Sequence, residues 1–453
     1  MKKTAKKIAN KALKGDLYNK VVLPKHYSVA AAANVKRGFP GRGLQVIGVT
    51  GTNGKTSTCF IIQRMLMEAG YNAGIMTTVS YGVNDDIQQQ IAHVTSQPIQ
   101  VLLDRISSMK AKGMDILVLE VTSHALVQFR TMGIPISIAV MTNITHEHLD
   151  YHGTFEAYLQ AKLKLFKQAA RNKQGLRLGI INADDDNAAV FSDAVPNVAA
   201  YSLDPASGPK VAHPEKLKLT PSGSSYQMVI EDEHYNITCK LPGSFNVSNS
   251  LAAALVGRAL GLDKQVIERG IAALEGVEGR MTRIDEGQSF DVIVDFAHTP
   301  DSFEKLFADI KPVVKGRLIT LFGSAGRRDE AKRYAQGEIA GRYSDIIYIT
   351  EEDDRDIDGN QIMAQIAEGA ERSGKIVDKD VHLVLDRETA LRAALTSAKK
   401  GDTVMLLGKG HEKTIERAEG SGGTKDHDNP WEVHDWDEIA LTRKILKSLK
   451  KKK

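Results

Sequence analysis

The hydrophobic positions of the chain form two series of short apolar runs, each followed by a polar loop and an amphipathic segment. Alternation of this kind predicts a parallel sheet that is flanked by helices. The predicted strands cover residues 44–50, 115–121, 136–142 and 178–182 in the first series, and residues 290–295, 317–322, 346–350 and 403–407 in the second. Ligands of such folds bind beyond the carboxyl ends of the strands, so we expect the chemistry in the loops that follow them.

The same pattern predicts the domains. The expected fold class is α/β, with a central parallel-sheet domain over residues 44–279 and a second, Rossmann-like α/β domain over residues 280–453. Between residues 199 and 240 polar and apolar positions alternate, which predicts a small antiparallel excursion of the central domain. Residues 1–43 form a short basic segment with too little core for a domain of its own.

The composition restricts the class of protein. Among the 453 residues there are two cysteines, Cys59 and Cys239, too far apart in sequence for a disulfide framework, which favours a reducing, cytoplasmic compartment. No apolar stretch approaches the roughly 20 residues of a membrane span, and the start lacks the apolar core of a signal peptide.

The net charge of +4 is concentrated in lysines near the two ends of the chain. Two interpretations stay open: solvated ends, or ends that are weakly attracted to anionic lipid or nucleic acid. We expect a monomer that has no transmembrane segment and no nucleic-acid partner, and at most weak contact with a membrane surface.

A glycine-rich loop joins the first predicted strand to an amphipathic helix. Such a loop, placed between strand and helix, is typical of a phosphate-binding site, in which backbone amides surround the phosphates. Lys55 would reach the terminal phosphates and Thr56 would bind magnesium. The general pattern needs a glycine where Val49 stands, so a glycine turn with a solvated lysine is the alternative. The loop consists of Gly51, Thr52, Asn53, Gly54, Lys55, Thr56 and Ser57.

Carboxylates and histidines follow two further strands. Glu120 ends the predicted strand over residues 115–121, where it either holds magnesium beside the phosphates or is a plain surface acid. The next strand leads into His146, His148 and His152. Three histidines suggest zinc, but no cysteine and no His-Glu-x-x-His spacing accompany them, so the pattern favours a hard cation.

Several motifs occur in the order found in one family of ligases. They cover residues 48–58, 120–126, 143–153, 161–166, 241–249, 279–281, 295–301, 323–333 and 408–412. In this order they resemble the Mur ligase family over about residues 41–440, and most closely the type that acts on UDP-N-acetylmuramoyl-L-alanyl-D-glutamate. Asp-Phe-Ala-His-Thr-Pro at 295–300 and Gly-Lys-Gly-His-Glu at 408–412 are typical of that branch.

The resemblance implies an ATP-dependent ligase of peptidoglycan synthesis, with Mg²⁺ as cofactor, that adds the third amino acid of the stem peptide through an acyl phosphate. By the resemblance, Lys162 carries a carbamate, which turns a cation into an acidic metal ligand; otherwise Lys162 is an exposed helix lysine. The implied catalytic and metal-binding residues are Lys55, Thr56, Glu120, His148 and Lys162, and the implied further nucleotide contacts are Asn249, Arg280 and His298.

The resemblance also implies two substrate sites. In the first, Ser96 either holds the muramoyl peptide or merely begins the helix near Pro98. The implied muramoyl-peptide contacts are Thr95, Ser96, Ser123, Gln128 and Arg130. The implied contacts of the incoming amino acid are Arg328, Asp353, Arg355, Gly408 and Glu412.

The identity of the incoming amino acid depends on charge. Diaminopimelate-adding relatives carry Asp-Asn-Pro-Arg where this chain has Glu-Asp-Asp-Arg at 352–355. The distal carboxylate of meso-diaminopimelate needs a cation, which Arg355 can supply, whereas extra acids suit the lone ammonium of L-lysine. We expect diaminopimelate because the arginine is retained, with lysine the close alternative and a solvated acidic turn the structural one. A second Asp-Asn-Pro at 428–430, which ends in Trp431, is interpreted as an unrelated loop.

The N-terminal region departs from the family pattern, because relatives carry a uridine-binding domain of about a hundred residues where only about 45 residues precede the phosphate loop here. We expect uridine recognition to be reduced, rebuilt or supplied elsewhere. Two rival functions stay open. One is a folylpolyglutamate-synthase-like ligase, and the other is a nucleotide-dependent protein that binds a muramoyl peptide without ligating it.

Overall fold

The structure is a computed structural model that describes residues 16–90, 96–145, 147, 149–220, 222–425 and 429–450. The chain divides into two compact units. Unit 1 runs to Leu219 and includes Gly223–Lys240 and Ser244–Glu275, and unit 2 consists mainly of the chain from Gly276 onward. None of the described helices is long and apolar enough to cross a membrane.

Unit 1 is built on a large mixed sheet. Within the described part of the chain it has 11 strands in the order β11-β10-β9-β8-β7-β6-β1-β5-β2-β3-β4. Strands β1, β5, β6 and β7 are parallel, so their carboxyl ends meet at one edge. The strands are β1 (Gln45–Thr50), β2 (Ala73–Met76), β3 (Ser80–Val83), β4 (Asp86–Gln89), β5 (Ile116–Glu120), β6 (Ile136–Met141), β7 (Leu178–Asn182), β8 (Asn197–Tyr201), β9 (Val211–Thr220), β10 (Gly223–Ile230) and β11 (Glu233–Cys239).

Helices cover this sheet and close its apolar core. Apart from the partly buried Gln45 at the start of β1, the residues of β1, β5 and β6 are all buried, as expected of continuous apolar runs in a parallel sheet. In the amphipathic helix α6, Leu163, Leu165 and Phe166 pack into the core. The helices of unit 1 are α1 (Asp16–Lys36), α2 (Lys55–Glu68), α3 (Ile99–Ala111), α4 (Ser123–Val127), α5 (Leu149–His152), α6 (Phe155–Arg171), α7 (Ala188–Ser192), α8 (Ser244–Ala259) and α9 (Lys264–Ala272).

Helix α1 belongs to unit 1. Ala30 and Ala33 are buried members of its core. The Asn34 amide donates to the Met132 carbonyl oxygen at 3.0 Å. Arg37 makes an exposed ion pair with Asp104 of α3. The short segment before the phosphate loop therefore packs as an extra helix on the central domain.

Unit 2 has a smaller sheet, which in the described residues has the order β12-β13-β17-β14-β15-β16. All neighbours from β13 to β16 are parallel. The strands are β12 (Thr282–Arg283), β13 (Asp291–Asp295), β14 (Leu318–Phe322), β15 (Ile346–Ile349), β16 (Val381–Leu383) and β17 (Thr403–Leu407). The helices are α10 (Pro300–Ile310), α11 (Ala331–Tyr343), α12 (Gly359–Arg372), α13 (Arg387–Ser397) and α14 (Glu438–Lys450).

A small antiparallel sheet follows the last long strand of unit 2. It consists of β18 (Thr414–Ala418), β19 (Thr424–Lys425) and β20 (Trp431–Asp435). The Glu432 carboxylate accepts hydrogen bonds from the amides of Gly420, Gly422 and Gly423 and so fixes the turn. We call residues 414–435 the hairpin.

The predicted α/β class is confirmed, and all eight predicted strands occur within two residues of their expected ends. The predicted antiparallel excursion is continuous with the large sheet through β8 and β9. Strands β2, β3 and β4 were not predicted, because four residues carry too little periodicity to distinguish a strand from a loop.

Thr299 of the Asp-Phe-Ala-His-Thr-Pro motif begins α10. Its side chain accepts from the Ser302 amide, and the Ser302 hydroxyl accepts from the Thr299 amide, which forms a capping box. We expect Thr299→Ala to lower the free energy of unfolding of unit 2 by about 1 kcal/mol. Urea unfolding followed by tryptophan fluorescence measures this, since Trp431 and Trp436 both lie in unit 2.

Thr396→Ala is the control for this prediction. Thr396 is an exposed helical threonine of the same unit, and its replacement should change the free energy of unfolding by less than about 0.5 kcal/mol. Equal effects of the two replacements would contradict the capping role.

Candidate functional site

The phosphate loop lies at the carboxyl end of β1. Gly51 and Gly54 have φ values of 149° and 81°, which side-chain-bearing residues rarely adopt. A β-carbon on Gly51 would collide with the Thr142 hydroxyl, and one on Gly54 with the Asn249 side chain. The Lys55 Nζ atom donates to the Thr52 carbonyl oxygen at 2.7 Å, across the mouth of the loop. Both glycines therefore allow close packing that a larger residue would prevent.

Asn143 braces this loop from the neighbouring strand end. Its carbonyl oxygen accepts from the Thr52 amide at 2.7 Å, and its Oδ1 accepts from the Asn53 amide at 2.9 Å. The Thr142 hydroxyl donates to the Asn53 carbonyl oxygen at 2.6 Å. Asn249 of α8 lies against the other side, where its Oδ1 accepts from the Thr58 hydroxyl at 3.2 Å. The loop is thus held in one shape before any ligand arrives.

Glu120 is buried at the end of β5, directly beside the start of α2. Its Oε2 atom accepts from the Thr56 hydroxyl at 3.0 Å. The backbone amide and the hydroxyl of Thr78 also donate to the carboxylate, each at 3.0 Å. The structure therefore brings together Thr56 and Glu120, two of the predicted metal ligands. Thr78, which orients the carboxylate, had no signal in the sequence.

Lys162 is buried on α6, with 2% of its surface exposed. Its Nζ atom donates to the Gly51 carbonyl oxygen at 2.6 Å and lies 4.6 Å from the centre of the Tyr158 ring. Burial, together with the nearby Lys55 ammonium, holds the pKa of Lys162 well below its ordinary value. The alternative of an exposed helix lysine is wrong. A buried amine with a lowered pKa is more often neutral, which is the form that reacts with carbon dioxide.

The predicted muramoyl-peptide residues meet beside this loop. Arg130 donates to Gln128 Oε1 and to the Ser96 carbonyl oxygen. The Ser96 hydroxyl lies 3.1 Å from the Thr122 hydroxyl, and Ser96, Glu120 and Arg130 line one small cavity. The Ser123 hydroxyl lies 2.9 Å from His152 Nε2. This arrangement places a cation and several hydroxyls next to the carboxylate at the end of β5.

Two predicted site residues, Thr95 and His148, lie outside the described residues, as does His146. The third histidine of the cluster, His152, stacks edge-on against Tyr151 and Tyr158, with ring centres 4.9 and 5.4 Å apart.

Arg280 and His298 gather around one aromatic ring in unit 2. The Arg280 guanidinium lies 4.6 Å from the centre of the Phe296 ring, and the His298 and His411 rings lie 4.7 and 4.9 Å from it. Burial, together with Arg280, lowers the pKa of His411 to about 3, so His411 is neutral near pH 7. Asp295 fixes the backbone here by accepting from the amides of Met281 and Ala297, each at 2.7 Å.

Four successive acids follow β15, and all four are buried. Glu351, Glu352, Asp353 and Asp354 are each less than 8% exposed. The expected alternative of a solvated acidic turn is therefore wrong. Buried carboxylates need partners, and most of these come from the segment after β17. We call residues 351–355 the acidic loop.

Lys409 lies between two of the predicted amino-acid contacts. Its Nζ atom is 2.9 Å from Asp353 Oδ1 and 2.7 Å from Glu412 Oε2. Burial opposes the charge of Lys409, but the two carboxylates outweigh it and raise its pKa. Gly408 faces Glu352: a β-carbon at Gly408 would lie 2.5 Å from Glu352 Oε2. Arg328 lies exposed in the loop after β14.

Arg355 forms an ion pair with Glu416. The sequence-based choice of diaminopimelate required the guanidinium to be available for the distal carboxylate of that amino acid. Instead, Arg355 Nε donates to Glu416 Oε2 at 2.6 Å, and one terminal nitrogen donates to the Gly326 carbonyl oxygen at 2.8 Å. The guanidinium also lies 5.4 Å from the centre of the Trp431 ring. Both Glu416 and Trp431 belong to the hairpin. The Trp431 ring therefore lies near a predicted substrate residue, while Asp428 of the second Asp-Asn-Pro lies outside the described residues, so the interpretation of that motif as a decoy stays a prediction.

The chain matches known protein families and solved structures. Residues 49–257 match the family description "Mur ligase middle domain", and residues 279–410 match "Mur ligase, glutamate ligase domain". The chain is similar to a solved "UDP-N-acetylmuramoyl-L-alanyl-D-glutamate--2,6-diaminopimelate ligase", with 29% identity and a TM-score of 0.60, over 90% of this chain and 79% of that one.

Curated relatives agree with these matches. A "UDP-N-acetylmuramoyl-L-alanyl-D-glutamate--2,6-diaminopimelate ligase" of Syntrophomonas wolfei is 38% identical over 83% of this chain and 75% of the relative. A "UDP-N-acetylmuramyl-tripeptide synthetase" of Roseiflexus sp. is 38% identical over 93% of this chain and 82% of the relative. Because identity at this level extends over most of both sequences, the chain belongs to the Mur ligase family.

Proposed function

We propose that this chain is an ATP-dependent ligase that adds a diamino acid as the third residue of the peptide of UDP-N-acetylmuramoyl-L-alanyl-D-glutamate. The observation that carries the proposal is the convergence of Lys55, Glu120 and Lys162 around one preformed phosphate loop. Relatives whose names describe this reaction support the choice of substrate.

The reaction has two steps. The glutamyl carboxylate attacks the γ-phosphorus of ATP, which forms an acyl phosphate and releases ADP. The amine of the incoming amino acid then attacks the acyl carbon, and phosphate leaves from the tetrahedral intermediate. The products are one amide, ADP and phosphate. Both steps gather negative charge near the transferred phosphoryl group, so the protein acts chiefly by placing cations and dipoles there.

The residues of unit 1 fit these requirements. The amides of the phosphate loop and the amino end of α2 provide positive potential, and Lys55 at the first turn of that helix adds a full charge. The Thr56 hydroxyl and the Glu120 carboxylate are hard oxygen donors that lie 3.0 Å apart at the mouth of the loop, which fits Mg²⁺. We propose that these two residues, with His148 and carbamylated Lys162, hold magnesium, which when bound neutralises phosphate charge.

The muramoyl peptide is proposed to bind beside Ser96, Ser123, Gln128 and Arg130. Arg130 follows α4, is partly buried, and donates two hydrogen bonds to Gln128 Oε1, at 3.1 and 2.6 Å. A guanidinium held in this way is suited to a carboxylate of the peptide. Arg280 and His298 are proposed nucleotide contacts of unit 2.

An isotope experiment tests the proposed function. UDP-N-acetylmuramoyl-L-alanyl-D-glutamate that carries ¹⁸O in its glutamyl side-chain carboxylate is incubated with ATP, Mg²⁺ and either lysine or meso-diaminopimelate. We expect phosphate release that depends on both the acceptor and the amino acid, with one ¹⁸O atom transferred from the carboxylate to each phosphate. That transfer is the signature of an acyl phosphate.

Two controls separate the rival functions. UDP-N-acetylmuramoyl-L-alanine lacks the reacting carboxylate and should release no phosphate, and a folate acceptor with glutamate should also release none. Phosphate release with folate alone would favour a folylpolyglutamate-synthase-like enzyme. Binding of nucleotide and muramoyl peptide without any phosphate release would favour a non-catalytic binding protein.

A further inference from the structure

The hairpin supplies the partners of the acidic loop. Arg417 of β18 makes two hydrogen bonds to Glu351, at 2.6 and 2.7 Å. The Glu416 amide donates to Asp353 Oδ1 at 2.9 Å, while the Arg355 amide donates to the Glu416 carbonyl oxygen at 3.0 Å. Strand β18 therefore lies directly along the acidic loop, and its side chains determine which charges of the loop are compensated.

Glu416 compensates Arg355. The two side chains form a 2.6 Å ion pair in which Arg355 is 13% and Glu416 is 8% exposed. Water screens a pair this well buried only weakly, so the carboxylate cancels most of the field that the guanidinium would otherwise exert on a ligand. The Gly326 carbonyl oxygen and the Trp431 ring occupy further sides of the same guanidinium. A second carboxylate that approached Arg355 would have to compete with Glu416.

Glu352 is a buried acceptor in the same region. Its Oε2 atom has no hydrogen-bond partner among the residues that the structure describes, and the side chain is 6% exposed. It faces Gly408, one of the predicted contacts of the incoming amino acid. A buried carboxyl of this kind is stabilised by an incoming ammonium and destabilised by an incoming carboxylate.

We propose that Glu416 is a specificity-determining residue: by neutralising Arg355 it makes the site select a diamino acid that ends in an ammonium alone, such as lysine, over one that adds a distal carboxylate, such as meso-diaminopimelate. This inference rests on the proposed ligase function and replaces the expectation of diaminopimelate. The retained arginine is no guide to specificity here, because its charge is cancelled by a residue 61 positions downstream.

The test combines competition and binding. The wild-type chain, with ATP and UDP-N-acetylmuramoyl-L-alanyl-D-glutamate, is given equal concentrations of lysine and meso-diaminopimelate, and the products are counted by mass spectrometry. Calorimetry measures the binding of each amino acid separately. We expect a preference for lysine of about tenfold or more in the wild type. A wild-type preference for diaminopimelate overturns the inference without the need for any variant.

Glu416→Gln tests the cause of the preference. Glutamine keeps the shape of the side chain and removes its charge, so the ratio of lysine to diaminopimelate product should fall about tenfold. Glu419→Gln is the matched control, because Glu419 is an exposed acid of the same hairpin that pairs with Lys425. The double variant Glu416→Gln/Arg355→Met should lose the gain in diaminopimelate use, since that gain requires the cation. An unchanged ratio in Glu416→Gln overturns the inference.

The design separates this inference from the proposed function. A chain that binds lysine more tightly than diaminopimelate but ligates neither would contradict the ligase proposal and support the specificity assignment. A chain that ligates both equally would support the ligase proposal and overturn the specificity assignment. If Glu416→Gln fails to fold by circular dichroism, Arg355→Met alone decides: the inference predicts that this variant still prefers lysine, because the Glu416 carboxylate is then left unpaired, whereas a variant that prefers diaminopimelate would contradict it.

Discussion

Lys162→Ala is expected to reduce the ligase rate by about 10²–10³-fold, the usual effect of losing one preorganised charged group at a reacting phosphate. Lys162 is buried against the phosphate loop, and its neutral amine is favoured by burial and by Lys55, so the side chain is well placed to carry a carbamate. Steady-state phosphate release measures the loss. Acetate or formate should restore part of the rate, because a small carboxylate replaces the anionic oxygens in the space that alanine leaves.

Lys167→Ala is the control for this prediction, since Lys167 is an exposed lysine of the same helix and its removal should leave the rate unchanged. A ¹³C-labelled bicarbonate experiment adds a readout besides activity: the wild type should show a carbamate carbon signal by NMR that the Lys162→Ala variant lacks. Full activity of the alanine variant would exclude a catalytic carbamate.

Lys55→Ala and Glu120→Ala are each expected to lower the rate by a similar factor of about 10²–10³, because both residues act on the charge of phosphate and metal. The effects should differ in their dependence on Mg²⁺. Glu120 lies 3.0 Å from the Thr56 hydroxyl, so its loss should raise the concentration of Mg²⁺ that gives half-maximal rate. Loss of Lys55 should leave that concentration nearly unchanged. Rates measured over a Mg²⁺ titration distinguish the two.

Two exposed residues of unit 1 serve as matched controls. Lys112 pairs with Asp86 on the surface, and Glu156 is an exposed acid at the start of α6. Lys112→Ala and Glu156→Ala should both retain the wild-type rate. Near-normal turnover in Lys55→Ala or Glu120→Ala, with an intact circular dichroism spectrum, would remove these residues from the proposed catalytic site.

Much of the site followed from the sequence for local reasons. The phosphate loop directly follows β1, and Glu120 is the last residue of β5. The apolar runs of both strands and the glycines of the loop can be recognised in short segments of the sequence. The parallel order of the strands then brings their carboxyl ends together, so Thr56 and Glu120 were expected to meet and do. The bracing by Asn143 and Thr78 was not foreseen, since ordinary polar residues in loops carry no signal of the contact they make.

The sequence by itself determined the α/β class, the phosphate loop and the family resemblance, because all three depend on patterns within short stretches of chain. Tertiary structure alone decided the state of the charges. Lys162 is buried and favours the neutral form only because α6 packs under the loop, and Arg355 is cancelled only because β18 brings Glu416 to within 2.6 Å. Charge compensation depends on distance and burial, and neither can be read from the spacing of residues along the chain.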